Sequence, residues 1–225
     1  MTSQPPDPHS NRRSFRIAIL ASGRGSNLQA IYSACKNGYL HSKIVGVFSD
    51  KPQSGAIAFA KQQHIDFAAI KPAKFSSREA YDEHLFSLIE AVQPDLIVCA
   101  GYLRLISAPS VEKVQARMIN IHPSLLPKFP GLHTHARALE AGETWHGASV
   151  HCVIPELDAG PVLSQVCVEV QPDDTDEMLE QRVLAREHAL LVETIVALEK
   201  GRILLQAPPE KPLQLDSLNG LQDKS

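Results

Sequence analysis

Short, almost uninterrupted apolar runs alternating with longer amphipathic segments predict an α/β chain. The expected architecture is a doubly wound, mostly parallel sheet with an antiparallel C-terminal strand pair and a long C-terminal helix. Strands buried on both faces of a parallel sheet read as solid apolar runs, and the segments between them supply the crossover helices. A second observation is that each stretch rich in Gly, Asn, His or Asp follows the end of an apolar run, where open α/β sheets bind ligands. The third lies near the C-terminus. Runs at 148–153 and 161–170 are separated only by the turn-rich PELDAG at 155–160, which favours antiparallel pairing.

The elements follow in order. Residues 17–21 (IAILA) predict a strand, 28–36 a helix, 44–48 a strand, 56–63 a helix and 67–70 a short strand. Ser77 is placed to cap a helix running to about 92, with Leu85, Leu88, Ile89 and Val92 at helical spacing. Residues 96–100 form an apolar strand ending at Gly101, and 118–121 a further strand. A proline-punctuated loop (HPSLLPKFPGLH, 122–133) precedes a short helix at 134–141. After the antiparallel pair, residues 174–198 form a long helix, acidic at its start and closed by Lys200-Gly201. Residues 1–14 are polar and proline-rich and read as a disordered extension. Residues 15–205 read as one domain, and 206–225 as a flexible tail.

With 225 residues, 44% of them hydrophobic, the chain can bury a sizeable core. Its net charge of −3 argues against a nucleic-acid partner, which calls for a basic face. Arg12-Arg13-Ser14-Phe15 resembles a twin-arginine export signal. The apolar run after it, however, breaks at Ser22-Gly23, shorter than the roughly 7–15 residues such a signal wants. No apolar stretch is long enough to span a membrane. A cytoplasmic protein with reduced cysteines (Cys35, Cys99, Cys152 and Cys167) is expected, since no CxxC pair is present.

Three segments carry chemistry. Ser22-Gly23-Arg24-Gly25-Ser26-Asn27 joins the first strand to the first helix. Its glycines and the N–H groups of a helix start suit a phosphate, although a ligand-free tight turn fits equally. The third glycine of a dinucleotide loop is missing, and there is no Walker A lysine. In the second segment, alternation puts Asn120 and His122 on one face of an extended strand. An amide beside an imidazole can serve an oxygen gaining negative charge. Alternatively, Asn120 caps the loop and His122 satisfies a backbone carbonyl. In the third, Asp158 is a turn former unless it folds back on His122, where a carboxylate would raise the imidazole's pKa and orient it. The remaining histidines have no metal-ligand spacing and HExxH is absent, so no metal site is predicted. No GxSxG appears, and no cysteine has a recognisable base partner.

These segments, in this order, resemble the folate-dependent phosphoribosylglycinamide formyltransferase family of purine synthesis. The likeness runs from about residue 16 to 201. It is strongest in INIHPSLLPKFPGLHTHARALEAG (119–142) and HGASVHCVIPELDAGPVL (146–163), with SREAYD (77–82) and AGYLRLIS (100–107) in support. The resemblance implies a formyl transfer from 10-formyltetrahydrofolate, as cosubstrate, to the amine of glycinamide ribonucleotide. It also implies that Asn120, His122 and Asp158 are catalytic. Gly25, Ser26 and Asn27 would hold the ribonucleotide phosphate, and Glu187 the amino-bearing end. Arg78, Leu103, Arg104, Leu105 and Ile106 would form the folate pocket, with Asn120, Val153, Asp158 and the backbone of residues 153–158.

Three departures stand out. Arg24 replaces a common Asn, which would strengthen phosphate attraction; Leu103 replaces Met; and Ala159 replaces Gly, so no positive φ is expected there. Three rivals are weighed. Methionyl-tRNA formyltransferases add a C-terminal domain and a basic surface, which the short remainder after Gly201 and the chain's net charge of −3 do not match. Formyltetrahydrofolate deformylases add an N-terminal domain, for which residues 1–15 are too few. A non-catalytic folate or nucleotide-binding module would not need the intact Asn120, His122 and Asp158. Monomer and homodimer both remain open.

Overall fold

A computed structural model describes residues 13–114, 117–216 and 220–222. Most of the expected extension at 1–14, with Arg12, lies outside the described residues. Arg13, inside that expected extension, pairs with Asp95 at 2.6 Å.

The described strands form one nine-stranded sheet in the order β3-β2-β1-β4-β5-β6-β7-β8-β9. Strands β1 (Arg16–Leu20), β2 (Lys43–Ser49), β3 (Phe67–Ala69), β4 (Leu96–Cys99) and β5 (Met118–His122) are mutually parallel. Strand β6 (Trp145–Cys152) runs antiparallel to both β5 and β7 (Val162–Glu169). The chain builds outward from β1 to β3, then restarts at β4 on the other side of β1. That reversal creates a crevice between the loops that follow β1 and β4. Two hydrogen bonds tie those loops together: Ser22 N–H donates to Gly101 O at 2.9 Å, and Leu103 N–H to the Ser22 side-chain Oγ at 3.1 Å.

The solid apolar runs arise because both sheet faces are covered. Ile17, Ile19 and Ala21 pack with α1 (Ser26–Lys36), α2 (Gly55–Gln62) and α6 (Asp176–Glu199). Ala18 and Leu20 face the opposite way, against α3 (Arg78–Ala91) and α4 (Ala108–Val114). Each fully buried Ile or Leu contributes about 1.5–3 kcal/mol. Ser54, Ser77 and Thr175 cap α2, α3 and α6 by accepting the N–H three residues on, each worth about 1 kcal/mol.

Three features differ from expectation. A 3₁₀ turn at Pro72–Lys74 and helix α4 are additional. Pro109 masks α4 in the sequence, yet proline is tolerated in a first helical turn, where its missing N–H would lack an acceptor anyway. Within the segment expected as a flexible tail, two described stretches continue the sheet. Strand β8 (Leu213–Asp216) pairs parallel to β7, and β9 (Gly220–Gln222) antiparallel to β8. The edge of β7 offers unpaired backbone groups, and Leu213 and Leu215 pack against the core. That two-residue alternation is too short to read amid polar neighbours. No helix among the described residues is long and apolar enough to cross a membrane. Cys99 and Cys152 are buried, and burial pushes the Cys99 thiol up to about 12.

Candidate active site

Asn120 and His122 project from β5, which crosses the sheet one strand beyond the crevice. The antiparallel register sets His151 of β6 directly opposite Asn120, and Ser149 opposite His122. His151 Nδ1 donates to the Cys152 carbonyl at 2.9 Å, leaving Nε2 to accept the Asn120 amide at 3.1 Å. The amide is therefore aimed by a cross-strand neighbour. His122 Nε2 donates to the Phe129 carbonyl at 3.0 Å, while its Nδ1 lies 3.4 Å from Asp158 Oδ2. His122 therefore satisfies a backbone carbonyl, as the plainer alternative has it, and Asp158 folds back to face it.

Asp158 reaches that position because its own backbone is left-handed, φ 52°. Short polar residues tolerate that region. The positive φ falls on Asp158 and not on Ala159, so Ala serves there as expected. The next turn is tight. A Cβ at Gly160 would sit 1.9 Å from Cys152 O, so only glycine lets the loop return against β6. Asp158 Oδ2 also accepts the Gly131 N–H at 2.8 Å, and Oδ1 lies 3.5 Å from His151 Nε2. One carboxylate thus ties the loop after β5 to the loop after β6.

The electrostatics of this pair differ from expectation in one respect. Burial pulls the His122 imidazole down, while the Phe129 carbonyl and the Asp158 carboxylate push it up; the net direction is downward. The carboxylate acts as the sequence predicts, but desolvation outweighs it, because His122 is only 5% exposed. Burial also pushes Asp158 up. His151, the Gly131 N–H and His122 more than offset this, and the carboxyl is held below its ordinary value.

A cleft of about 720 Å³ opens in front of this trio, within the size range of small-molecule sites. One end is formed by Asn27 and Glu187, whose side chains meet at 3.3 Å, Nδ2 to Oε2. Gly25 takes φ 83° at the helix cap, and a Cβ there would stand 2.8 Å from Ala56 Cα. Glycine is required on both counts. Ser26 and Asn27 then begin α1, whose first-turn N–H groups have no intrahelical acceptor. Glu187 is buried on α6. Burial, aided by Glu180, pushes its carboxyl up against the Asn27 amide. Arg24 leans away at the surface, 3.5 Å from Glu180.

The other end is apolar. Leu103, Leu105, Leu132 and Leu157 line it, each more than half exposed. A narrower cavity of about 100 Å³ adjoins it, lined by Arg104, Ile106, Val153 and residues of the 154–158 turn. Asn120 and Asp158 border both spaces. Arg78 is not brought into either lining. It opens α3 at the surface, 3.6 Å from Glu79. The sequence reading missed His151, Tyr102 and the Gly131 N–H. Pairing 119–122 against 149–152 would have exposed His151, but that needs the register. Among the described residues, no group of three His, Cys, Asp or Glu side chains could hold a metal ion.

The chain belongs to the formyl transferase family, whose profile matches residues 15–195. It is 44% identical over 189 residues to the phosphoribosylglycinamide formyltransferase of Escherichia coli K12, covering 84% of this chain and 89% of that protein. Against the trifunctional purine biosynthetic protein adenosine-3 of Drosophila melanogaster it is 41% identical, covering 87% of this chain and 15% of that one. Among solved structures, the phosphoribosylglycinamide formyltransferase of Coxiella burnetii superposes with a TM-score of 0.82 at 40% identity, over 89% of this chain and 92% of that one.

Proposed function

We propose that this chain transfers the formyl group of 10-formyltetrahydrofolate to the amine of glycinamide ribonucleotide in the cytoplasm, releasing formylglycinamide ribonucleotide and tetrahydrofolate. The observation that carries this reading is the position of Asn120, His122 and Asp158 between two unlike ends of one cleft. A helix N-terminus with a buried carboxylate suits a phosphorylated amine, and an apolar wall suits a flat heteroaromatic donor. The names of the relatives support formyl transfer to the ribonucleotide amine.

The neutral amine attacks the formyl carbon, forming a C–N bond as the carbonyl electron pair moves onto oxygen. The Asn120 amide, held by His151, and the protonated imidazole of His122 stabilise that oxyanion. His122 rests largely neutral because of burial; it takes a proton from solvent as the charge develops and returns it when the carbonyl re-forms, with Asp158 offsetting the cost of the charged ring. Asp158 then passes the ammonium proton to folate N10, directly or through one water, as the C–N10 bond breaks.

Purified protein given both substrates should form tetrahydrofolate and formylated ribonucleotide in equal amounts. Deformylation of the folate without formylated product would make the chain a hydrolase, and binding without turnover would make it a carrier. Either outcome sinks the proposal.

A further inference from the structure

Asp82 is fully buried, with 0% exposure, one turn into α3 and beneath the segment that lines the apolar end of the cleft. Its Oδ2 accepts the backbone N–H of Ser107 at 2.6 Å. Ser107 is the hinge between that segment and α4: its carbonyl receives the N–H groups of Ser110 and Val111, and its hydroxyl donates to Ser110 Oγ at 3.1 Å. Asp82 Oδ1 is enclosed and has no hydrogen-bond partner among the described residues. The nearby cations are Arg104, whose guanidinium lies 5.3 Å over the Tyr81 ring with a buried, unpartnered Nε, and Arg78. Burial pushes the Asp82 carboxyl up; the Ser107 bonds and the two arginines only partly offset this.

A carboxylate with one orphaned oxygen is a poor way to stabilise a core, since an apolar side chain would fill the space without the desolvation cost. Its value must lie in what it holds. We infer that Asp82 is a positioning residue for the formyl-donor side of the site, pinning the Ser107 N–H and drawing Arg104 onto Tyr81 so that residues 103–106 present a preformed wall. Leu103 and Leu105 are exposed and make no core of their own. Their placement therefore depends on the packing of Tyr102 and Ile106 against the core and on the two ends of the segment: Ser22 Oγ at Leu103 N–H and Asp82 at Ser107 N–H. The inference rests on the reading of 103–106 as the folate-contacting segment.

The test is steady-state kinetics of Asp82→Asn with each substrate varied in turn. Asn keeps an oxygen for Ser107 and the shape of the side chain but loses the charge. The KM for 10-formyltetrahydrofolate should rise about tenfold, the effect of one charge-assisted contact. The KM for the ribonucleotide and kcat should stay within about twofold. With Arg104→Gln already present, Asp82→Asn should add little further, because the two charges act as one unit. Equal losses in kcat and both KM values, following a lowered melting temperature, would assign Asp82 to folding alone. An unchanged folate KM in an active enzyme would overturn the inference and leave the proposed reaction standing, whereas a wild-type protein that binds no formyl-folate would bring down both. If Asp82→Asn does not fold, the wild-type Ser107 amide decides. Strong protection from hydrogen exchange without ligand is expected, and exchange at the rate of an exposed loop would refute the anchor.

Discussion

His122 Nδ1 stands 3.4 Å from Asp158 Oδ2, with both side chains only 7% exposed. The carboxylate is the main charge opposing the burial that keeps the imidazole neutral. Removing it as Asp158→Asn should lower the His122 pKa below its already depressed value, as followed by the ring proton shift in NMR titration. Turnover should fall by about 10²–10³. A His122 pKa that rises in this variant would contradict the arrangement.

Asn120→Ala removes the amide that His151 orients. Loss of one preorganised oxyanion donor typically costs about 10²–10³ in kcat. The KM for each substrate should change little, since the amide acts mainly on charge that develops in the transition state. A large KM effect with near-normal kcat would reassign Asn120 to ground-state binding.

Glu187→Gln should stabilise the protein at pH 7 while weakening ribonucleotide binding. The folded-state pKa of Glu187 is raised above its ordinary 4.5, chiefly by burial. Its contribution to stability is therefore full below that value and lost as pH rises through the folded pKa. Above its raised pKa the native state carries a desolvated charge, which the amide removes while keeping an acceptor for Asn27. A melting temperature a few degrees higher is expected, about 1 kcal/mol. An unchanged or lower melting temperature, measured with and without ribonucleotide, would show that the carboxylate does not strain the free site.

His146 should make the fold acid-sensitive. It is 1% exposed on β6, its Nε2 lies 3.1 Å from His135 Nδ1, and burial pulls its pKa from 6.5 down to about 4. A depressed histidine binds its proton more readily when unfolded, so stability is complete above 6.5 and drains away as pH falls toward 4. The loss approaches about 3 kcal/mol, at roughly 1.4 kcal/mol per pKa unit. Urea midpoints measured across this window should fall, and fall less in His146→Asn. A flat profile in the wild-type protein would exclude a buried neutral His146.

Gly25→Ala tests the proposed phosphate-binding role of the loop before α1. The variant must adopt φ 83° and move its Cβ off Ala56. A destabilisation of about 1–3 kcal/mol is expected, with a larger relative loss in ribonucleotide affinity than in folate affinity. Equal losses for both substrates would detach the loop from the phosphate.

How much of this was legible beforehand differs from element to element. The strand at 17–21 could be read directly because both its faces are buried, and Ser77 announced α3 through one side-chain oxygen and an N–H three residues on. Helix α4 hid behind Pro109, and β8 behind a stretch too short for its alternation to register. The residue types of the trio Asn120, His122 and Asp158 were visible, and so was the shared face of Asn120 and His122, since period-two alternation is a property of the strand alone.

By itself the sequence determined the order of the strands and helices as far as α6, apart from the 3₁₀ turn and α4, together with the cap at Ser77 and the chemical groups available, since each depends on interactions within a few residues. Only the tertiary structure decided that His151 faces Asn120 across 31 residues, that Asn27 meets Glu187 across 160, and that Arg78 stays at the surface. Those contacts follow from strand register and chain closure, in which a one-residue slip would turn every side chain to the other face. The direction of the His122 pKa belongs to the same class: a carboxylate and a buried wall oppose each other there, and only their distances and the exclusion of water determine which prevails.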